Sequence, residues 1–393
     1  MKIAVLASHD ASLINFRGDL LRTFVATGQE VVAVAPLETP AVPEALARIG
    51  VKFRTVGLVR AGMNVFVDWR YLRELKAVLR DEKPDVVLAY TIKPVVYGMR
   101  AASTLRIAGR YALITGLGAA FHSGGVKGWV LRRLAMMLYR TSLARCTRII
   151  VQNAEIGDYF RKRRIVARGA DMITVPGSGV NLVHFVAEPI FPEVTRFLFL
   201  GRLLWDKGVG EFSAAARAVK QSHPSAEFWI VGRADPNPAA MTPEEMRQLQ
   251  QEGIVRYFDQ VDDVRPLLRQ CSALVLPSYH EGMPRSVLEA MATGRPVITT
   301  DTIGCRETIF DAGAKTIGAH GVRAGVNGLL VPVRSAAAVA EAMLYLVKQP
   351  ETAREMGRAG RRLAEKHFDV EQINRRMLEA MDLNPPLPCS SSP

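Results

Sequence analysis

Short runs of β-branched and aliphatic residues alternate with longer stretches of helical character along the first half of the chain. The runs are MKIAVLAS, EVVAVAP, DVVLAYT, RYALITG and TRIIVQN, and helix-compatible sequence follows each of them. Strands that alternate with helices in this way form a parallel sheet built from βαβ units. The pattern therefore predicts an α/β domain with a doubly wound sheet.

The same pattern restarts in the second half, with the runs FLFLG, EFWIVG, SALVLPS, RPVITTD and GLLVPV. Prolines and glycines cluster between the halves, in MITVPGSGVNLVHFVAEPIFPEV. We predict two doubly wound, Rossmann-like domains over residues 1–185 and 186–366, a terminal helix over 367–383 and a disordered tail over 384–393. Such sheets bind ligands at the carboxyl ends of their strands, so a cleft between the domains is the expected active site.

Length and composition agree with this organisation and exclude several classes of protein. At 393 residues the chain is too long for one ordinary core, and its 4 cysteines lack the spacing of a metal site. The N-terminus enters a strand without the features of a signal peptide, and nothing approaches the run of about 18 apolar residues that a membrane span needs. We expect a reduced, cytoplasmic protein that does not cross the membrane.

The net charge of +13 is carried by the first half of the chain. Residues 1–180 contain 27 Lys and Arg against 13 Asp and Glu, whereas the remainder is nearly balanced at 24 against 25. Between Asp85 and Glu155 there is no acidic residue. This charge favours an anionic membrane, a polyanion or a phosphate-bearing substrate. We expect no nucleic acid partner, because the chain lacks a recognisable RNA- or DNA-binding motif.

The segment HEGMPRSVLEAMATGRPVI, residues 280–298, joins a turn to a helix and then to a strand. Pro284 suits the first position of a helix that ends at Thr293, and the amides and dipole of this helix favour an anion. Glu281 precedes the helix and Glu289 lies on its second turn, so the two carboxylates can span a nucleotide-sugar. The alternative makes Glu281 a cap and Glu289 a surface residue, which suits either one alone but not the pair.

A second segment, FLFLGRLLWDKGV at residues 197–209, places basic residues after a strand. The strand ends at Gly201, where the backbone can approach a ligand closely, and Arg202 and Lys207 follow at the same sheet edge. A forked guanidinium and a point charge suit a pyrophosphate and can stabilise a departing nucleoside diphosphate. The alternative is two solvated basic residues at a helix start. Because the chain contains no Asp-x-Asp pair, we expect a site without a metal or a cofactor.

Taken together, GRLLWDKG, EGMPRSVLEAMATGRPVI and TIGCRETI resemble the motifs of retaining, GT-B-fold glycosyltransferases with Glu-x7-Glu, known as glycosyltransferase family 4. The resemblance covers essentially the whole chain. INFRGDLL, TIKPVVYG and ITGLGAAF look nearest to bacterial enzymes that extend undecaprenyl-diphosphate-linked sugars for capsule, O-antigen or protein glycans. The resemblance implies two Rossmann-like domains facing across a cleft, a UDP-sugar donor and a polyprenyl-diphosphate-linked acceptor.

The resemblance also implies a role for each matching residue. Arg202 and Lys207 would bind the donor diphosphate. Glu281 would face the donor sugar, and Glu289 would bind the ribose hydroxyls. The other donor-binding positions are Gly201, Gly282, Met283, Pro284, Arg285 and Ser286, with the segment Tyr257 to Val261 beside the base. Retention implies either a covalent enzyme intermediate or front-face attack. Because nothing in the sequence marks a carboxylate nucleophile, we expect front-face attack, in which the leaving diphosphate takes the acceptor proton.

Two features depart from the family pattern. The strand RYALITG ends in Thr115 and Gly116, where many relatives carry a histidine that contacts the donor sugar. His122 lies nearby but out of register, and a lone histidine is more often structural than catalytic. The segment 311–324 is longer than is usual in the family, and we interpret it as a surface loop that could serve as a lid.

Polar residues follow the first predicted strand at its carboxyl end. We predict that Asn15 and Arg17 contact the acceptor or a phosphate. The other candidates for this contact are Thr115, Gly116 and His122. For His9 and Asp10 a turn with an Asp cap at a helix start is about as good an interpretation as a ligand contact.

The stretch GVKGWVLRRLAMMLYRTSLARC, residues 125–146, predicts an amphipathic helix with one apolar face packed on the domain. That face contains Val126, Val130, Leu131, Leu134, Met137, Leu138 and Ala144. The opposite face interleaves Trp129, Met136, Tyr139 and Leu143 with Arg132, Arg133 and Arg140. Aromatic groups among arginines suit the headgroup layer of an anionic membrane, and RKRRIVAR at 161–168 adds charge. Packing against a neighbouring element or a second subunit is the alternative.

These observations predict a peripheral enzyme on the inner face of the cell membrane. Two other functions stay open: a glycosyltransferase with a soluble acceptor, and a nucleotide-sugar epimerase. Activity that does not depend on a lipid would favour them.

Overall fold

The computed structural model describes residues 1–59, 64–116, 118, 121, 125–187, 194–234, 237, 239–313 and 315–383. The predicted tail over 384–393 and the candidate residue His122 lie outside these ranges. The chain divides into two compact units. The first contains Met1–Ser178 together with the chain from Glu371 onwards, and the second contains Gly179–Val370.

The first unit is built on a seven-stranded parallel sheet in the order β3-β2-β1-β4-β5-β6-β7. Its strands are β1 (Lys2–Leu6), β2 (Glu30–Ala35), β3 (Val51–Thr55), β4 (Val86–Tyr90), β5 (Gly109–Ile114), β6 (Arg148–Val151) and β7 (Met172–Thr174). Val5 lies between Ala33 of β2 and Leu88 of β4, and all three side chains are buried. The strand order reverses at β1, which makes its carboxyl end a place where ligands bind in open sheets.

The helices of the first unit follow the strands, as the sequence pattern predicts. They are α1 (Ala11–Asn15), α2 (Gly18–Ala26), α3 (Val42–Ala47), α4 (Val65–Glu82), α5 (Met99–Thr104), α6 (Gly125–Leu143) and α7 (Ala154–Lys162). A π-helical turn over Pro94–Gly98 precedes α5. Helix α5 and this turn contact both α4 and α6, so these helices lie on one face of the sheet.

The second unit contains an eight-stranded sheet in the order β10-β9-β8-β11-β12-β15-β14-β13. Its strands are β8 (Arg196–Leu200), β9 (Glu227–Val231), β10 (Arg256–Phe258), β11 (Ala273–Leu276), β12 (Val297–Thr300), β13 (Lys315–Ile317), β14 (Val322–Ala324) and β15 (Gly328–Val331). Six of them pair in parallel. The two sheets with their helices confirm the predicted α/β fold.

The extra segment 311–324 is not the surface loop that the sequence predicts. Strands β13 and β14 form an antiparallel hairpin, and β14 pairs with β15 at the sheet edge. Val322 is buried, and the guanidinium of Arg323 contacts the carboxylate of Asp301 at the end of β12. The segment therefore extends the sheet. The backbone groups of β14 pair with those of β15, which would otherwise be an unpaired edge strand.

Seven further helices complete the described chain. They are α8 (Val209–Ser222), α9 (Pro243–Gln251), α10 (Arg265–Gln270), α11 (Arg285–Ala292), α12 (Ala336–Lys348), α13 (Pro350–His367) and α14 (Val370–Ala380). Among the helices that the structure describes, none combines the length and the apolar character needed to cross a bilayer.

The chain passes between the units at different residues from those predicted. The first passage follows Ser178 instead of residue 185, because Val180 and Phe185 are buried in the core of the second unit. The second lies at Val370–Glu371 instead of residue 366, because Phe368 belongs to the same core. Helix α14 then returns to the first unit, where its apolar side chains join the core. These are Ile373, Met377 and Leu378.

Helix α6 buries a different face from the predicted one. Ala135, Tyr139 and Leu143 are buried, and Ser142 Oγ donates a hydrogen bond to Val96 O over 3.0 Å. The predicted packing face is wrong, since four of its members are exposed. They are Val126, Val130, Met137 and Ala144. Apolar side chains occur all round this helix, so periodicity alone does not decide which face packs.

Candidate active site

The two segments singled out in the second half meet at the carboxyl edge of its sheet. Strand β8 lies beside β11, so the residues that follow Leu200 come close to those that follow Leu276. Gly201 and Arg202 come directly after β8, and Arg202 is exposed there. A short 3-10 turn over Trp205–Lys207 then leads into α8.

Lys207 and Glu281 form an ion pair that joins the two segments. Lys207 Nζ donates to Glu281 Oε1 over 2.7 Å, and both side chains are largely buried. Each group therefore orients the other at the end of two neighbouring strands. The sequence identifies both residues as candidates, and the structure adds their direct contact.

Two glycines allow the loops of this site to approach one another. Gly208 has φ 79°, and a Cβ there would overlap the carbonyl of Pro277. Gly304 has φ 81°, and a Cβ there would overlap the carbonyl oxygen of Glu281. An L side chain is strained at such angles even without the overlap. The position of the Glu281 backbone thus depends on Gly304 in the loop after β12.

Helix α11 begins one residue later than predicted. Pro284 is its N-cap, with extended angles φ −72° and ψ 113°, and the helix runs from Arg285 to Ala292. Gly282 and Met283 lie in the bend before it. The side chain of the N-cap residue, Pro284, makes no capping hydrogen bond. The first turn of the helix, to which Ser286 belongs, carries the positive end of the helix dipole, which favours an anion.

Glu289 is mostly buried on the second turn of α11. Burial raises the pKa of its carboxyl group, and Arg285, whose Nε lies 3.2 Å from Oε1, opposes the rise. The alternative of a surface position for Glu289 is therefore wrong. A mostly buried carboxylate near the N-terminus of a helix is suited to accept hydrogen bonds from ligand hydroxyl groups.

Sequence reasoning missed a second cross-loop contact beside the first. His280 Nε2 lies 3.4 Å from Asp206 Oδ2, one residue before each member of the Lys207–Glu281 pair. The hydrogen bond from His280 lowers the pKa of Asp206, and the charges of Lys207 and Arg202 lower it further. Both residues lie inside the two segments singled out in the sequence, and this position is the signal that could have found them.

The segment Tyr257 to Val261 also ends at this carboxyl edge. Tyr257 lies on β10, and its hydroxyl group donates to Gly232 O, directly after β9, over 3.0 Å. Phe258 and Val261 are partly exposed. The end of the segment and Arg202 thus follow strands of the same sheet, β10 and β8, at its carboxyl edge.

In the first unit, Asp10 and Arg17 serve mainly local structure. Asp10 is the N-cap of α1 and accepts hydrogen bonds from the amides of Ala11, Glu38 and Thr39, which confirms the capping interpretation. Burial would raise the pKa of Asp10, but these amides hold it below its ordinary value. Arg17 is buried, with its guanidinium over the ring of Tyr90.

Other predicted residues of this unit lie at the carboxyl edge of its sheet. Asn15 is exposed at the end of α1, and Thr115 and Gly116 are partly exposed after β5. His9 Nδ1 lies 2.9 Å from Glu38 Oε2, which ties the ends of β1 and β2 together. The structure thus leaves Asn15, Thr115 and Gly116 accessible to a ligand.

Helix α6 carries the residues predicted to face a membrane. Trp129, Arg133 and Arg140 are exposed, and Arg132 is half-buried. Tyr139 and Leu143, which were predicted on the same outward face, are buried. The predicted outward face is thus correct for Trp129, Arg133 and Arg140 and wrong for Tyr139 and Leu143.

Comparison with protein families gives a match on each unit. Residues 16–177 match the family described as glycosyl transferase 4-like domain, and residues 194–349 match glycosyl transferases group 1. The first range contains every strand of the first sheet except β1. The second range contains all eight strands of the second sheet and includes Arg202, Lys207, Glu281 and Glu289.

Similar proteins with curated descriptions include bacterial glycosyltransferases. The chain is 29% identical over 327 residues to the N,N'-diacetylbacillosaminyl-diphospho-undecaprenol alpha-1,3-N-acetylgalactosaminyltransferase of Campylobacter jejuni, covering 79% of this chain and 84% of that protein. It is 27% identical to the putative glycosyltransferase EpsD of Bacillus subtilis, covering 77% of each.

Solved structures share the fold over almost the whole chain. Sucrose-phosphate synthase of Thermosynechococcus elongatus superposes with a TM-score of 0.78 at 20% identity, covering 96% of this chain and 98% of that one. HepE of Anabaena in complex with UDP-glucose gives a TM-score of 0.73 at 16% identity, covering 97% and 99%.

Proposed function

Because the chain carries both domains of a GT-B glycosyltransferase, we propose that it transfers a hexose or N-acetylhexosamine from a UDP-sugar to a sugar on a polyprenyl diphosphate. The product belongs to a bacterial cell-surface glycan. The observation that carries this proposal is the Lys207–Glu281 pair at the end of β8 and β11, beside the N-terminus of α11.

The donor is held by groups of the second unit. Arg202 and Lys207 bind the diphosphate, and the carboxylate of Glu281 accepts hydrogen bonds from the hydroxyl groups of the sugar. Glu289 accepts hydrogen bonds from the ribose, and the segment Tyr257 to Val261 lies beside the base. The cations and the helix amides supply the positive charge that the leaving group needs, so the reaction proceeds without a metal. UDP in the structural neighbour HepE supports uracil as the base.

The acceptor binds to the first unit. The basic composition of residues 1–180 suits a diphosphate and an anionic leaflet, and the Campylobacter relative is named for an undecaprenol-linked substrate. Asn15, Thr115 and Gly116 lie accessible at the carboxyl edge. The exposed side of α6, with Trp129 and Arg133, keeps the enzyme on the inner face of the membrane, where the lipid carrier is available.

The transfer retains the anomeric configuration through front-face attack. The bond between the anomeric carbon and the diphosphate oxygen breaks, and the acceptor hydroxyl oxygen bonds to that carbon from the same side. The acceptor proton passes to the leaving diphosphate, whose charge Arg202 and Lys207 stabilise. The anomeric configuration of the product, read by NMR, tests this step, and an inverted linkage would contradict it.

The central test measures UDP release from a panel of UDP-sugars, with and without an undecaprenyl-diphosphate-linked amino sugar. We predict release that needs one UDP-sugar and the lipid acceptor together. Lys207→Ala should lower kcat/KM about 100-fold or more, because it removes charge that stabilises the leaving group. Glu281→Ala should also lose activity. Lys348→Ala, at the exposed end of α12, is the matched control and should behave as wild type.

The outcomes separate the alternatives. Release with water-soluble acceptors alone would replace this proposal with a transferase for a soluble substrate. Interconversion of UDP-sugars without UDP release would indicate an epimerase.

A further inference from the structure

Three large apolar side chains in the first two turns of α4 are exposed. The exposed fractions are 79% for Val65, 85% for Phe66 and 55% for Trp69. They lie on one helix, so they form a single protruding surface. Such a patch on a protein surface marks a contact with a partner or a membrane.

The orientation of α4 is fixed by its buried side, so this exposure is a property of the fold. Asp68 is buried, and its carboxylate accepts hydrogen bonds from Lys93 Nζ over 2.7 Å and from the hydroxyl group of Tyr97 over 3.0 Å. Tyr71 and Leu75 are buried on the same side. Phe66 and Trp69 cannot turn inward without breaking the contacts of Asp68.

The start of α6 repeats the arrangement. In α4 the guanidinium of Arg73 lies 4.7 Å from the ring centre of Trp69, four residues before it. In α6 the guanidinium of Arg133 lies 5.2 Å from the ring centre of Trp129, again four residues before it. An exposed apolar residue stands three positions before each tryptophan: Phe66 in α4 and Val126 in α6.

Both starts lie at the same edge of the same sheet. Helix α4 follows the carboxyl end of β3, and α6 follows the carboxyl end of β5. Since α5 and the π-helical turn contact both helices, the two starts share one face of the first unit. This is also the edge where Asn15 and Thr115 are accessible.

We propose that the first turns of α4 and of α6 form a two-helix contact surface for an anionic lipid leaflet. Phe66 and Trp69 enter the interfacial layer, and Arg70 and Arg73 bind lipid phosphates. The inference deepens the proposed function, because it assigns the element that holds the acceptor edge at the membrane.

The charge of the two starts favours lipid over a second copy of the chain or another protein. Asp68 is buried and paired, and Glu74 accepts hydrogen bonds from Arg70 and from the amide of Gly57. Helix α6 contains no acidic residue. Tryptophan beside arginine is the side-chain combination that suits the headgroup layer, where the ring lies at the apolar boundary and the cation meets phosphate.

Co-sedimentation with vesicles of phosphatidylglycerol and phosphatidylethanolamine tests the surface directly. The double variant Phe66→Ser/Trp69→Ser should bind about tenfold more weakly than wild type, because it removes two interfacial anchors. The matched control Val183→Ser/Val326→Ser removes two exposed apolar side chains of the second unit and should stay within about twofold. Equal binding of the α4 variant and wild type would overturn the proposal.

Insertion of Trp69 into the bilayer can be measured separately from vesicle binding. The chain has 4 tryptophans, so quenching by brominated lipids reports which of them reach the acyl chains. Trp69→Phe keeps an apolar ring and should keep vesicle binding while losing part of the quenching. Unchanged quenching in Trp69→Phe would contradict insertion of α4. If Phe66→Ser/Trp69→Ser instead converts a dimer into a monomer in sedimentation velocity, the surface belongs to a second copy and the proposal is wrong.

Failure of this inference and failure of the proposed function are distinguishable. The α4 variant should turn over a short-chain, water-soluble analogue of the diphosphate-linked acceptor at the wild-type rate and lose activity only on vesicles. Wild type that binds vesicles but transfers to neither acceptor would contradict the proposed function alone. Wild type that transfers to both acceptors while the α4 variant still does so on vesicles would contradict the inference alone.

Discussion

Glu289 is a carboxylate in a mostly buried position with one cation beside it. Burial raises its pKa, and Arg285 opposes the rise without cancelling it. A carboxylate that accepts hydrogen bonds from ribose hydroxyls must be ionised, so this binding is lost as the pH falls through its pKa. Because that pKa is raised, the loss begins at a higher pH than for an ordinary glutamate. We predict that KM for the UDP-sugar rises on acidification.

The measurement is KM and kcat for the donor from about pH 5 to about pH 8. Glu289→Gln should raise KM about tenfold, since it replaces a charged hydrogen-bond acceptor with a neutral one, and should flatten the dependence on pH. Glu355→Gln, on the exposed side of α13, is the control. A wild-type KM that stays constant over this range would contradict a ligand role for Glu289.

At the scale of residues, the sequence could predict the candidates but not their contacts. Lys207 and Glu281 stand 74 positions apart, and each lies in a recognisable motif. Their ion pair depends on the placement of β8 beside β11, which is a property of the sheet order. Asp206 and His280 lie inside the same two segments, but they were missed because the sequence does not show that they contact each other. Their contact follows from the same strand pairing, one residue earlier in each loop.

At the scale of elements, the loop after β12 determines where Glu281 lies. Gly304 has a positive φ, and its amide donates to Glu307 Oε2 over 3.1 Å, while the amide of Glu281 donates to Ile303 O over 3.2 Å. Gly304→Ala adds a Cβ that overlaps the carbonyl of Glu281. We predict that this change lowers the free energy of unfolding by about 2 kcal/mol or more and reduces kcat/KM.

Gly253→Ala is the matched control, because Gly253 also has a positive φ, 67°, but nothing lies within 4 Å of its added Cβ. It should show the backbone strain alone, about 1 kcal/mol, with normal transfer. Urea unfolding and donor kinetics measure both effects. Equal kinetics for the two variants would show that the contact between Gly304 and Glu281 does not control the site.

Elements with a single clear hydrophobic pattern were predicted correctly, whereas elements with an ambiguous or very short pattern were not. The sequence predicted the strands that are continuous apolar runs, as buried parallel strands are: β1, β2, β4, β5, β6, β8, β9, β11, β12 and β15. The outer strands β3, β7 and β10 were not predicted. Helix α6 carries apolar residues on several sides, and its packing is decided by Ser142 and Tyr139, which fit against neighbouring elements. The hairpin of β13 and β14 was read as a loop because strands of three residues give almost no periodic signal.

At the scale of the whole molecule, the chain builds two cores and contributes to the first of them twice. The restart of the βαβ pattern predicts two domains, because a second set of strands needs a sheet of its own. The residues at which the chain passes from one unit to the other depend on which single apolar residues, such as Phe185 and Phe368, are buried in the second core. The composition of the chain does not reveal this. Helix α14 is therefore distant in sequence from the core that it completes.

Because α14 belongs to the core of the first unit, we predict that substitutions of its buried side chains destabilise that unit. Ile373 and Met377 are buried in the first unit, so Ile373→Ala/Met377→Ala should destabilise that unit by several kcal/mol, about 2 or more for each side chain. Because each unit has its own core, the second unit should keep its stability. Hydrogen exchange followed by mass spectrometry should show faster exchange in peptides from residues 1–178 and unchanged exchange in 194–350. Arg375→Ala/Arg376→Ala, on the exposed side of the same helix, should change neither. Equal loss of protection in both units would mean that they unfold as one cooperative structure.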